Sequence, residues 1–272
     1  MNIKSNIGFI QGRLVKKVFD RIQAFPLSSW KDEIKIAIDN HFNIMEWTID
    51  YDFFYENPIF KEEDRNYFLE KKDFQIKSIT LDFSMHVPFW KCVGSMKNEV
   101  IKRHLELIEN ISATNIEILV LPLVDNGSIE NKEQEESLIK GLDIISKSLE
   151  KYNKKIAFES DYKPKDLKRL INKFDPNIYG INYDTGNSAS LGYLVDDEIE
   201  SYGNHIINVH IKDRLYKGTT VPLGMGSFDF KFFFNKVKQL DYDGNFILQT
   251  ARDDSNHIEA LNKNRKYIES FI

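Results

Sequence analysis

A chain of 272 residues is long enough for two small domains or for one α/β barrel, and 42% hydrophobic with 29% charged residues describes a water-soluble globular protein. A formal net charge of −5 argues against a surface that neutralises many phosphates, and no apolar run approaches the roughly 18 residues that span a bilayer, so neither nucleic acid nor a membrane is the expected partner. The single cysteine, Cys92, excludes an intramolecular disulfide and a cysteine-based zinc site; with the opening "MNIKSNIGFIQGRL", where one Lys precedes a short strand-like run in place of a signal peptide, it leads to the expectation of a cytoplasmic protein acting on a small molecule.

Short β-branched or apolar runs alternate with longer charged segments along the chain. The first, "IGFI" (Ile7–Ile10), is followed by a helical stretch in which Ile34, Ile38 and Phe42 recur every four residues. "IMEW" (Ile44–Trp47) and "IKSITL" (Ile76–Leu81) come next. "WKCVGSMKNE", readable as a lid or as a loop entering a helix, then leads into Leu105, Ile108 and Ile111 at a spacing of three. After "IEILVLP" (Ile116–Pro122), the segment "QEESLIKGLDIISKSLEKY" sets Leu138, Leu142, Ile145 and Leu149 on one helical face. "KIAFE" (Lys155–Glu159), "YGINYD" (Tyr179–Asp184), "IINVHIK" (Ile206–Lys212) and "NFILQ" (Asn245–Gln249) complete eight candidate strands, and a closing helix is expected from Asn256 to Phe271. Phe232, Phe233 and Phe234 in "KFFFNK" serve either the core or an exposed face suited to a homo-oligomer. Eight strand-then-helix units of similar size predict an α/β fold, a closed (β/α)8 TIM barrel in one domain over residues 1–272; "GFIQGR" lacks the glycine spacing of a dinucleotide fold.

Chemistry in such barrels sits where the strands end, so the polar residues that close apolar strands are the informative ones. Four successive strands close in Glu159, Asp184, His210 and Gln249. Neighbouring strands lie about 4.8 Å apart, close enough for these side chains to converge on one ion. Two carboxylates, an imidazole and an amide oxygen suit a divalent ion of intermediate hardness, Mn, Co, Zn or Mg, which would polarise a substrate oxygen or acidify a bound water. Each residue also has an ordinary reading: a helix N-cap for Asp184 or Glu159, a hydrogen-bonded core imidazole for His210, a loop amide for Gln249. Around the mouth, Gln11, Arg13, Glu46, His86, Asn187, Lys212, Arg214 and Arg252 are candidates to hold a polyol or a phosphorylated ligand, with Trp47 or Trp90 stacked on a sugar. "PLGMGSF" (Pro222–Phe228) reads as a phosphate cradle of backbone amides or as a plain turn.

Taken together, "IGFIQGRL", "IAFES", "YDTGN", "NVHIKD" and "VPLGMGSFDF" resemble the xylose isomerase-like TIM barrels, sugar phosphate isomerases and epimerases whose superfamily also holds AP endonuclease family 2. The resemblance covers essentially the whole chain. It implies one divalent ion held by Glu, Asp, His and Glu from the fifth to the eighth strand, positions that fall here on Glu159, Asp184, His210 and Gln249. It also implies an isomerase or epimerase of carbohydrate metabolism, moving a proton on a sugar or sugar phosphate through a metal-stabilised enediolate, with Glu159 and His210 as catalytic groups. Gln249 departs from the pattern, and so does Asn187, where related epimerases tend to carry a histidine. An amide cannot accept a proton, so Gln249 requires a substitute base or a one-base proton shift by Glu159. A metal-dependent hydrolase or lyase on the same scaffold and a non-catalytic sugar-binding homologue stay open beside that reading.

Overall fold

All eight expected strands form, each within two residues of its expected ends, in a computed structural model that describes residues 6–18 and 20–272. They are β1 (Ile7–Ile10), β2 (Ile44–Thr48), β3 (Gln75–Thr80), β4 (Ile118–Leu123), β5 (Lys155–Ser160), β6 (Tyr179–Asp184), β7 (Ile206–Ile211) and, last in the chain, β10 (Asn245–Leu248). All pair in parallel and close in the order β1-β10-β7-β6-β5-β4-β3-β2. The short pair β8 (Asp213–Arg214) and β9 (Thr220–Val221), which the sequence does not announce, makes an antiparallel ribbon directly after β7.

The strand limits have local causes. β4 starts two residues late because Thr114 Oγ1 accepts the Ile116 amide at 3.3 Å and holds that residue in a turn. β7 stops at Ile211 because the Lys212 amide leaves the ladder for Thr185 Oγ1, 2.8 Å away. Gln249 lies beyond β10, yet its amide still bonds Ile211 O at 3.0 Å, so the sheet geometry reaches it.

The helices are α1 (Trp30–Asp39), α2 (Glu62–Leu69), α3 (Asp82–His86), α4 (Gly94–Asn110), α5 (Lys132–Tyr152), α6 (Pro164–Ile171), α7 (Thr185–Leu191), α8 (Val195–Tyr202), α9 (Phe230–Gln239) and α10 (His257–Glu269). α1 ends before Phe42, because His41 turns the chain at φ 58°, but Phe42 still reaches the core. "GSMKNE" is the start of α4, not a lid. In α9, Phe233 and Phe234 are buried and only Phe232 is partly exposed, so this helix spends its aromatic run on the core.

Pleating decides what fills the barrel. Residues facing the helices join one large apolar core, while Ile10, Ile44 and Ile247 form a separate small cluster on the lumen side. Above that apolar floor the inward positions turn polar: Glu46 on β2, Ser78 and Thr80 on β3, Glu159 on β5, Asn182 and Asp184 on β6, Asn208 and His210 on β7. Every one of them is buried.

Candidate metal centre

Glu159, Asp184 and His210 offer ligand atoms that all lie within 4.8 Å of one another. His210 Nδ1 is 3.0 Å from Glu159 Oε2 and 3.8 Å from Asp184 Oδ2. The other ring nitrogen, Nε2, is 2.7 Å from Glu46 Oε1. A carboxylate can only accept, so Nε2 carries the proton and Nδ1 is the atom turned to the acids. Burial alone would lower the imidazole's pKa, but Glu46 and Glu159 on either side push it up to about 10. Burial also works against the two carboxylates, and His210 outweighs it, holding both below the usual range; Lys212 adds to the effect on Glu159. Without another cation this cluster therefore keeps a proton at its centre, and an entering divalent ion would take that proton's place.

A second layer fixes these groups. Ser78 Oγ, Thr80 Oγ1 and Asn208 Nδ2 donate to Glu46 at 2.7, 2.5 and 2.9 Å. Asn208 also donates to Asn182 Oδ1 at 2.9 Å, and Asn182 Nδ2 passes the chain on to Glu159 Oε2 at 3.0 Å. Asn187 Nδ2 holds Glu159 Oε1 at 2.9 Å, and Arg214 donates to Asn187 Oδ1 at 3.3 Å. Asp184 caps α7 through the Asn187 amide at 2.8 Å and takes Lys212 Nζ at 3.0 Å on its other oxygen. The N-cap and ligand readings of Asp184 are thus compatible, because one oxygen serves each.

Two buried atoms test whether an ion fits. His210 Nδ1, although close to Glu159, has no hydrogen bond of proper geometry, and Gln249 Oε1 has no partner at all among the described residues. Gln249 is two residues past Ile247, which pairs with His210, so the pleat turns its side chain to the lumen. A buried polar atom without a partner costs about 1–3 kcal/mol. Two carboxylates, one imidazole nitrogen and one amide oxygen, two of these donors unpartnered, are a donor set that a divalent ion satisfies.

The rim differs more from expectation. Arg13 bonds Thr250 O, Ile22 O and Gln23 Oε1, and Arg252 bonds Gly12 O and Val15 O at its two terminal nitrogens. Between them Glu33, pushed up to about 7 by burial, accepts the Gly12 and Leu14 amides. These three charges brace the loop after β1 against the segment after β10. Glu46 is buried behind His210, and Gln11 is buried with its Oε1 on the Thr48 amide at 3.2 Å. His86 is exposed, its ring stacked on Tyr51. Lys212 and Asn187 do reach the acids, while Arg214, held by Gly218 O, connects to them through Asn187.

One expectation needs correction, and one open alternative closes. Trp47 and Trp90 do not reach the mouth: both are buried, with their indole N–H groups on Asn57 Oδ1 and Gly127 O. The "PLGMGSF" segment is a turn wrapped around Asp213, whose carboxylate takes the amides of Gly224, Gly226 and Phe228, leaving them none to offer a phosphate. Gly226 is required there, since a Cβ would fall 2.0 Å from Asp213 Oδ1. Residues that the sequence reading missed are Ser78, Thr80, Asn182 and Asn208. Stepping back two residues at a time from each strand-closing group would have found most of them.

Fold and cluster define a parallel eight-stranded barrel of the enzyme-bearing kind, with a candidate divalent-metal centre where its strands end. The chain belongs to the xylose isomerase-like TIM barrel family, whose model matches residues 34–271. An inosose dehydratase from Clostridium tetani (strain Massachusetts / E88) is 26% identical over 174 residues, 54% of this chain and 58% of that protein. The chain therefore matches little more than half the length of this curated relative. Among solved structures, D-allulose 3-epimerase from Methylomonas sp. has a TM-score of 0.76 at 14% identity, with 98% of both chains covered. The IOLI protein with a bound zinc atom has a TM-score of 0.73 at 15% identity, covering 98% of this chain and 99% of that one. At these identities the likeness is one of fold. No helix among the described residues is long and apolar enough to cross a membrane.

Proposed function

We propose that this protein is a cytoplasmic, divalent-metal-dependent enzyme that moves a proton beside the carbonyl of a sugar or sugar phosphate, as an isomerase or epimerase does. The observation that supports it is the convergence of Glu159, Asp184 and His210, with the unpartnered Nδ1 and Gln249 Oε1 beside them. In this reading Glu159, Asp184, His210 and Gln249 hold the ion, and the ion supplies positive charge to a substrate oxygen.

Glu159 is the base. His210 and Lys212 keep it ionised, and Asn182 and Asn187 fix its two oxygens so that it meets the substrate in one orientation. Glu46 orients the His210 ring, and Lys212 and Arg214 pair with anionic groups of the substrate. Gln11, His86 and Asn187 complete the proposed substrate contacts, while Arg13 and Arg252 act by bracing the loop that carries Gln11.

Deuterium incorporation from D₂O beside the carbonyl, across a panel of ketoses and their phosphates with metal bound, is the expected result. Stoichiometric metal with no exchange on any member would overturn the reading. Dehydration is the second reading, favoured by the inosose dehydratase relative. It shares the first proton removal but yields a product lighter by one water, which mass spectrometry of the reaction mixture separates from an isomer.

A further inference from the structure

The loops after β1 and β2 enclose a cavity of about 260 Å³ that the metal centre does not use. Phe25, Leu27 and Phe53 give it apolar walls, and Arg21, Asp50 and Asp52 give it charged ones. Asp50 Oδ2 accepts the Phe25 amide at 2.7 Å and so ties the two loops together, while Arg21 pairs with Asp52 at 3.2 Å. Two carboxylates stand against one guanidinium, a balance that disfavours a phosphate. A neutral sugar ring suits the same walls, because its hydroxyl edge donates to carboxylates and its C–H face packs on aromatic rings.

Phe53 is held open for such a contact. Phe54, next in the chain, is buried against Phe60 and Phe83, whereas Phe53 is left 57% exposed. It stands at φ 57°, a left-handed backbone that a bulky side chain seldom adopts and that persists chiefly where function holds it.

β2 connects this cavity to the metal centre. Trp47 and Ile49 pack into the outer core, and the Ile49 amide still pairs with Thr80 O at 3.0 Å, so Glu46, Thr48 and Asp50 climb the inner face in turn. Glu46 holds His210 at one end of this column, and Asp50 lines the cavity at the other. A rise of about 3.3 Å per residue sets these two about 13 Å apart, further than one sugar ring spans and close to the reach of two joined rings. Midway, Gln11 Oε1 accepts the Thr48 amide at 3.2 Å, and Gln11 Nε2 and Thr48 Oγ1 are buried without partners. An amide N–H and a hydroxyl are the groups that bond sugar hydroxyls.

We propose that this cavity is a second sugar subsite, which holds a neutral sugar unit joined to the one that reacts at the ion. The substrate class is then a ketose carrying a second sugar, with Gln11 and Thr48 bonding hydroxyls between the two ends. This rests on the functional reading above.

The test measures deuterium wash-in by metal-loaded protein on fructose and on glucosyl-fructoses linked at O3, O4, O5 and O6. The best of the linked ketoses should exceed fructose in kcat/KM by at least about tenfold. Phe53→Gly removes the ring and suits the left-handed backbone, so the fold is kept; it should lower that ratio at least about fivefold, through KM. Asp50→Asn, which still accepts the Phe25 amide, should lower it about threefold or more. No linked ketose better than fructose, or a ratio unchanged in Phe53→Gly, would overturn the proposal. Binding of methyl glucoside to metal-free protein, followed by saturation-transfer NMR, reads the cavity apart from the reaction: it is expected in wild type and lost in Phe53→Gly. Its absence in wild type would overturn the subsite whatever the wash-in shows. Methyl glucoside binding with no wash-in on any ketose would instead overturn the functional reading, and the two-unit substrate with it.

Discussion

Tyr183 and Asp184 are neighbours on β6 and face opposite ways. On the helix side, Tyr183 donates its hydroxyl to Glu198 Oε2 at 2.6 Å, Ser188 donates to the same oxygen at 2.6 Å, and Tyr202 donates to Oε1 at 2.8 Å. Glu198 is buried, and both its oxygens are used. On the lumen side, Asp184 joins Glu159 and His210, where Nδ1 and the nearby Gln249 Oε1 lack partners. A saturated buried carboxylate fastens α7 and α8 to the strand, whereas an unsaturated cluster leaves capacity for something the chain does not itself supply. Both acids are buried, but burial holds Glu198 above the usual carboxylate range, whereas His210 holds Glu159 on the lumen face below it. The state of satisfaction is what separates a structural acid from a functional one.

The sharpest way to break this contrast is at the lumen face. Asp184→Ala and His210→Ala should each take bound metal from about one per chain to near zero by elemental mass spectrometry, with wash-in falling at least about a hundredfold; retained metal in both would place the ion elsewhere. Two buried imidazoles sharpen the comparison further. His104 donates Nδ1–H to Val100 O, leaving Nε2 to accept from Ser84, and burial beside Phe83 and Phe89 lowers it from 6.5 to about 4. Its stabilising contribution is complete above pH 6.5 and is lost as pH falls through about 4. That is about 3 kcal/mol, read as the difference between wild type and His104→Gln in denaturant unfolding. His210 has the opposite sign in metal-free protein: its contribution is present below pH 6.5 and is lost as pH rises through about 10.

Smaller effects come next. Glu198→Leu leaves three hydroxyl groups unpaired and should cost about 2 kcal/mol in chemical unfolding with metal content unchanged; loss of metal would erase the distinction between the two faces. Gln249→Ala should weaken metal binding by about tenfold in a competition assay with a chelating dye, as removal of one neutral donor does, without altering the fold.

Much of the fold was legible because burial imposes a period. Ile156 to Phe158 and Val209 to Ile211 read as strands whatever surrounds them, and Leu138, Leu142, Ile145 and Leu149 mark a helix face by spacing alone. The strand-closing acids and His210 were legible for the same reason, since barrel geometry says in advance where a polar strand end points. Arg13 and Arg252 were less so. A charge three residues past a strand looks the same whether it meets a ligand or a backbone carbonyl, and only the folded loop after β1 turns both guanidinium groups inward. Asp213 hid its role likewise, because its three amide partners come 11 to 15 residues later in the chain.

What the sequence by itself determined is the succession of eight strand–helix units and three ligand-type residues at the ends of consecutive strands. Those properties follow from local periodicity and from the one-dimensional order of polar and apolar side chains. What only the tertiary structure decided is partnership. Glu46 and His210 are 164 residues apart and share a hydrogen bond because an eight-stranded sheet closes on itself. Closure brings distant residues to one axis and takes away their water, and in that dry space each group's charge depends on neighbours that no stretch of sequence contains.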